Sequence, residues 1–227
     1  LSLINPIVTR VNFPLFALVS GDEARVAQLY LKTLQIIVGI SAPLYLAAAA
    51  FAEPLVVVIF GKPWIDAAPS FALLALWAMG RSIMNPIGSL LLGVGRPARA
   101  LTWNVFQLVI AVAVLGLMSG HGSVELAAAM LGLILIQIVP GWYFLLRPFC
   151  SISLVQYCAA IARPASVSLV AVFTAYLLTH HIDTVVIQLC IGTAVIAITY
   201  TFLSWIAREA WFTIIAAQIK AIKAKSE

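Results

Sequence analysis

A lone cation within a long apolar stretch is the feature of this sequence best placed to do chemistry. Between Asp66 and Arg96 lie twenty-nine residues, AAPSFALLALWAMGRSIMNPIGSLLLGVG, whose one charge is Arg81, fifteen positions from each bracketing charge. At about 1.5 Å per residue a helix over them runs about 43 Å, against about 30 Å for the hydrocarbon core of a bilayer. Arg81 therefore falls near the midplane, too deep to reach either headgroup layer. A guanidinium there costs about 2.5–3.5 kcal/mol on insertion scales, so it must face protein or a water-filled cavity. Two readings stay open: a residue that lines a cavity, or a structural Arg paired with backbone carbonyls.

The neighbouring residues favour the cavity. Asn85 and Gly88 follow Arg81 at i+4 and i+7, with Ser82 and Ser89 beside the same stripe. Pro86 has no N–H to give the Ser82 carbonyl, which predicts a kink and a local break in the ladder. Kinked spans with small and polar residues line transporter cavities more often than they face lipid. In the next apolar segment Asn104 and Gln107 share a face at i, i+3, suited to the same cavity or to bonds between helices. Arg81, Ser82, Asn85, Asn104 and Gln107 are thus the candidate substrate-binding residues.

Other chemistries find no support. There is no P-loop, HExxH, GxSxG or carboxylate pair at catalytic spacing, which argues against an enzyme. Cys150, Cys158 and Cys190 lack CxxC spacing and are expected to be ordinary buried thiols. His180 and His181, being adjacent, are expected on different helix faces, so no metal site and no cofactor is expected. The spans hold no Asp or Glu for a coupling ion.

Of the chain's 227 residues 63% are apolar and 9% charged, with a mean hydropathy of +1.10. That composition belongs to an all-α, polytopic membrane helix bundle. About six spans are expected. Residues 1–32, opening LSLINPIVTRV, form the end of a preceding span and a connection in which Ser20 and Glu23 fit a capping box, with a helix starting near Gly21. Residues 33–146 hold four spans, the first kinked at Pro43, with a short re-entrant or surface piece over 55–60 and a fourth span carrying Gln137 and Pro140. Residues 147–163 suggest a surface helix, because Leu154, Tyr157, Cys158 and Ile161 recur at i, i+3, i+4, i+7. Residues 164–206 hold two more spans. Residues 207–227 form a basic amphipathic tail with Trp211 as an interfacial anchor.

The net charge of +5 reflects topology rather than nucleic-acid binding. With six spans, eleven of the thirteen Lys and Arg fall on one side, Lys62 on the other and Arg81 within the membrane. The positive-inside rule makes the eleven-cation side, and with it the C-terminus, cytoplasmic.

Three stretches also carry a resemblance: NPIVTRVNFPLFALVSGDEARVAQLYLKTLQ, then IFGKPW, then LLALWAMGRSIMNPIGSLLLGVGRPARALTWN. In this order and spacing they resemble the polysaccharide (oligosaccharide-unit) flippases of the multidrug/oligosaccharidyl-lipid/polysaccharide exporter superfamily, with the colanic-acid exporter type nearest. The resemblance covers roughly residues 5–147. It implies a bacterial inner-membrane protein of two six-helix lobes, of which this chain is the C-terminal lobe with two extra helices. The missing N-terminal lobe would be its partner, and membrane lipids its surroundings. The implied substrate is an undecaprenyl-diphosphate-linked repeat unit, carried to the periplasmic leaflet by alternating access. Arg81 would then be an electrostatic partner for the diphosphate or an acidic sugar, since its planar fork of donors suits phosphate. A multidrug antiporter of the same superfamily, which would need membrane carboxylates, and a non-transporting subunit of a polysaccharide-synthesis complex are the alternatives.

Overall fold

The computed structural model describes Phe16 and residues 22–207; the expected end of a preceding span, the Ser20 cap with its helix start near Gly21, and the basic tail with Trp211 lie outside these. Every regular element among the described residues is helical. In chain order they are α1 (Glu23–Ala50), α2 (Ala52–Phe60), a 3-10 turn (Lys62–Ala67), α3 (Ala68–Gly93), α4 (Pro97–Leu117), α5 (Ser123–Gly141) extended by a π-helical turn (Trp142–Leu146), α6 (Leu154–Thr179) and α7 (Val185–Ala207). Six of them, all but short α2, are long and apolar enough to cross a membrane, as the charge bracketing predicts.

Local chemistry sets the ends. Asp22 caps α1, its carboxylate accepting from the N–H groups of Ala24 and Arg25 at 3.1 and 3.2 Å. The helix thus begins at Glu23, with Asp22 as its cap. Gly95, at φ +72°, closes α3: the Arg96 N–H reaches the Leu91 carbonyl at 2.8 Å and the Gly95 N–H that of Leu92 at 3.1 Å. That pair of bonds is a Schellman stop, and glycine adopts its left-handed backbone without strain. Gly61, at φ +93°, ends α2 after nine residues, so the 55–60 piece is a short helix and not a span.

α1 is central, with α3 on one flank and α6 on the other; α5 packs beyond α3 and α7 beyond α6. The main core gathers Val26, Tyr30 and Leu34 of α1, Ile87, Leu90 and Leu91 of α3, Ile134 of α5 and Tyr157 of α6. Gly80 allows α3 and α5 to meet closely: a Cβ there would stand 3.0 Å from Ile134. Pro43 cannot donate to the Gly39 carbonyl, and the Tyr200 hydroxyl of α7 donates to it instead.

One expected boundary disappears. The surface helix expected over 147–163 starts only at Leu154, and from there it and the span expected from Pro164 are a single helix, α6, which runs through the proline. Of the stripe read as membrane-facing, Tyr157 is buried in the main core and Leu154 and Ile161 pack against it, while Cys158 is exposed. This packing holds the helix across the bond that Pro164 cannot make. Ser153 starts α6 with a capping box shared with Gln156.

Candidate functional site

Arg81 sits midway along α3, and its side chain is exposed to a cleft between α3 and α4. The cleft encloses about 310 Å³. Its α3 wall extends from Trp77 through Arg81, Ser82, Asn85 and Gly88 to Leu91; its α4 wall is Ala100, Trp103, Asn104 and Gln107; Leu145 closes it. The structure therefore brings all five sequence candidates to one cleft. Ser89 does not join them, being buried on another side of α3.

The polar groups form a chain across three helices. Arg81 Nη1 donates to Gln107 Oε1 at 3.1 Å, and Gln107 Nε2 donates to Gln137 Oε1 at 2.8 Å. Gln137 is buried in α5, so the chain anchors α4 to the packed part of the bundle. Among the described residues the one ion pair is Arg25–Asp22, and no carboxylate neutralises Arg81. The guanidinium thus has a neutral amide for a partner and retains its full charge toward the cleft. Ser82 spends its hydroxyl on the Ala78 carbonyl at 3.1 Å, and α3 continues through Pro86 to Gly93. Ser82 is consequently a wall of the cleft more than a donor to it.

Sequence reasoning noted Gln137 only as a polar residue in a span. Its position opposite Gln107 depends on the packing of α5 against α3, which no local spacing encodes. Trp77 and Trp103, the aromatic walls, were missed; their helical register with Arg81 and Gln107 (i−4 in both cases) was the available signal.

Two expectations are corrected. Only Cys150 is a buried thiol; Cys158 and Cys190 lie exposed on helix surfaces, because the stripe that includes Cys158 packs through Tyr157 instead. Burial, and secondarily the Glu23 carboxylate, pushes the Cys150 thiol up to about 12. The His180 and His181 rings do not diverge: their centroids are 3.5 Å apart, since α6 ends at Thr179 and helical faces no longer apply. Among the described residues no group of three or more His, Cys, Asp or Glu is arranged to hold a metal ion.

Six long apolar helices with an internal, unneutralised guanidinium define a multi-pass helical membrane protein. Comparison with known proteins refines the class. Residues 1–69 match a family described as polysaccharide biosynthesis protein. The chain is 30% identical to the lipopolysaccharide biosynthesis protein WzxC of Escherichia coli (strain K12) over 77% of its own length and 36% of the relative's. It is 30% identical to the teichuronic acid biosynthesis protein TuaB of Bacillus subtilis (strain 168) over 88% of the chain and 42% of the relative. The succinoglycan biosynthesis transport protein ExoT of Rhizobium meliloti (strain 1021) is 30% identical over 86% and 40%. The chain is a homologue of these proteins, which are named for polysaccharide biosynthesis and, in one case, transport. It spans less than half the length of each of the three. No solved structure matches it.

Proposed function

We propose that this chain supplies the C-terminal lobe of an inner-membrane flippase that carries undecaprenyl-diphosphate-linked oligosaccharide repeat units to the periplasmic leaflet by alternating access. Residues 33–146 contribute four helices of that lobe, and α6 and α7 (residues 154–207) are two additional ones, with an N-terminal lobe as the partner that closes the cavity. The observation that carries the reading is Arg81: a mid-span guanidinium, open to a cleft and without a carboxylate partner among the described residues. In a low-dielectric setting such a charge attracts an anion strongly, and its fork geometry matches a diphosphate. Asn85, Asn104 and Gln107 supply neutral polar groups for the sugars, and Ser82 shapes the wall.

The direction follows from charge. The end of the bundle where α1 starts and α3 finishes carries Arg25, Lys32, Arg96, Arg99, Arg147 and Arg163, and the opposite end carries Lys62. The positive-inside rule assigns the first end, and the C-terminus, to the cytoplasm. The cleft extends from Arg81 toward that same end, through Gly88 and Leu91, as a chamber loaded from the cytoplasm requires. No catalytic residue is needed, since flipping breaks no bond.

The test is export of the repeat unit by the intact transporter. Arg81→Ala is expected to lower export roughly tenfold or more, the scale of a lost charge-assisted contact. Arg81→Lys should retain part of it, as a charge without the fork. Full export by the Ala variant at normal protein level would overturn the role given to Arg81.

A further inference from the structure

A second cleft, of about 930 Å³, lies beside the first. Arg99, Thr102 and Phe106 of α4 wall it on one side, and Tyr143, Phe144 and Arg147 at the end of α5 on the other. Arg99 Cζ stands 4.9 Å from the centroid of the Phe149 ring, and Arg147 Cζ 5.2 Å from that of Tyr143. A guanidinium stacked by its face keeps its donor edge for an oxygen. Among the described residues no carboxylate pairs with either cation. Both lie where α4 begins and the π-helical turn ends, at the cation-rich end of the bundle, where the proposed topology puts the lipid headgroups. Below them the walls are apolar and open outward: Phe106 is 51% exposed and Phe144 57%.

Two cations above an exposed aromatic wall fit a molecule with an anionic head and an apolar tail. The cleft also leads somewhere. Trp103 and Leu145 line it and the Arg81 cleft alike. Arg99, Trp103 and Gln107 follow one another at i, i+4, i+8 on one face of α4, a track of about 12 Å that ends at the residue bonded to Arg81. Midway, the Trp103 indole N–H is shielded from solvent and has no hydrogen-bond partner among the described residues. A buried donor of that kind is costly unless an acceptor visits it.

We infer that the Arg99–Arg147 cleft docks the phosphate head of a membrane lipid, with its tail against Phe106 and Phe144, and passes the head along Trp103 toward Arg81. The onward step rests on the function proposed above; docking does not, and it is measurable without transport. The protein in phosphatidylcholine nanodiscs is titrated with spin-labelled phosphatidic acid, with spin-labelled phosphatidylcholine as the reference lipid. Selectivity for phosphatidic acid should fall roughly thirtyfold in the double variant R99Q/R147Q, on the scale of two interfacial charges. R99K/R147K should keep most of it, and Arg81→Gln all of it. Inorganic pyrophosphate should fail to displace the lipid.

Unchanged selectivity in R99Q/R147Q would overturn the assignment, as would a loss in Arg81→Gln alone. An equal loss in the Lys pair would mark a folding effect and overturn it too. Displacement by pyrophosphate as effective as by unlabelled phosphatidic acid would make this a site for free phosphate instead. Docking that survives while Arg81→Ala exports normally would sink the Arg81 reading and leave this one standing.

Discussion

α3 and α4 are consecutive, similar in length and opposite in packing. α3 buries twelve of its twenty-six residues, and α4 buries none of its twenty-one. Hydropathy alone ranks them the other way, because α4 is the more apolar of the two spans. Lipid tails are as apolar as leucine, so apolarity does not draw a helix into a membrane bundle; close approach and polar bonds do. α3 offers Ala75, Ala78, Gly80 and Ser89 for close approach. α4 turns Leu101, Leu108, Val109 and Leu117 outward and is held to the bundle through Gln107. The cleft lies on the boundary between a tightly packed helix and a loosely attached one, where a wall can move without disturbing the core.

That contrast can be broken most forcefully by truncating one leucine on each helix. Leu90 is 0% exposed and Leu108 62% exposed. Leu90→Ala should cost about 2–4 kcal/mol of stability in detergent unfolding, and Leu108→Ala less than about 0.5 kcal/mol. Similar costs for both would mean that α4 is packed after all. A smaller effect is expected from cutting the polar chain. Gln107→Leu should speed hydrogen exchange across residues 97–117 roughly threefold to fivefold, as expected for an interhelical bond worth about 0.6–1 kcal/mol. The exchange of α1 and α3 should hold steady, and acceleration there instead would show that the chain supports the core rather than α4.

The spans were legible because charge brackets them: the stretches between Lys32 and Glu53 and between Asp66 and Arg96 each hold a crossing helix. Arg81 was legible for the same reason, one charge against an apolar background. Pro164 misled because a proline reads as a boundary locally, whereas Tyr157 and Ala160 fix α6 through contacts remote in sequence. The partnership of Gln107 with Gln137, and the joining of two clefts at Trp103, depend on which helices become neighbours. No spacing within one segment carries that information.

The central claim is that Arg81 looks into a wet, anion-receiving cleft, and cysteine accessibility addresses it most directly. In a background with Cys150, Cys158 and Cys190 replaced by alanine, Arg81→Cys and Leu108→Cys are exposed in turn to a membrane-impermeant, negatively charged thiosulfonate. The account predicts that position 81 reacts and position 108 does not. Failure to label position 81 under conditions where an aqueous loop cysteine reacts would contradict it.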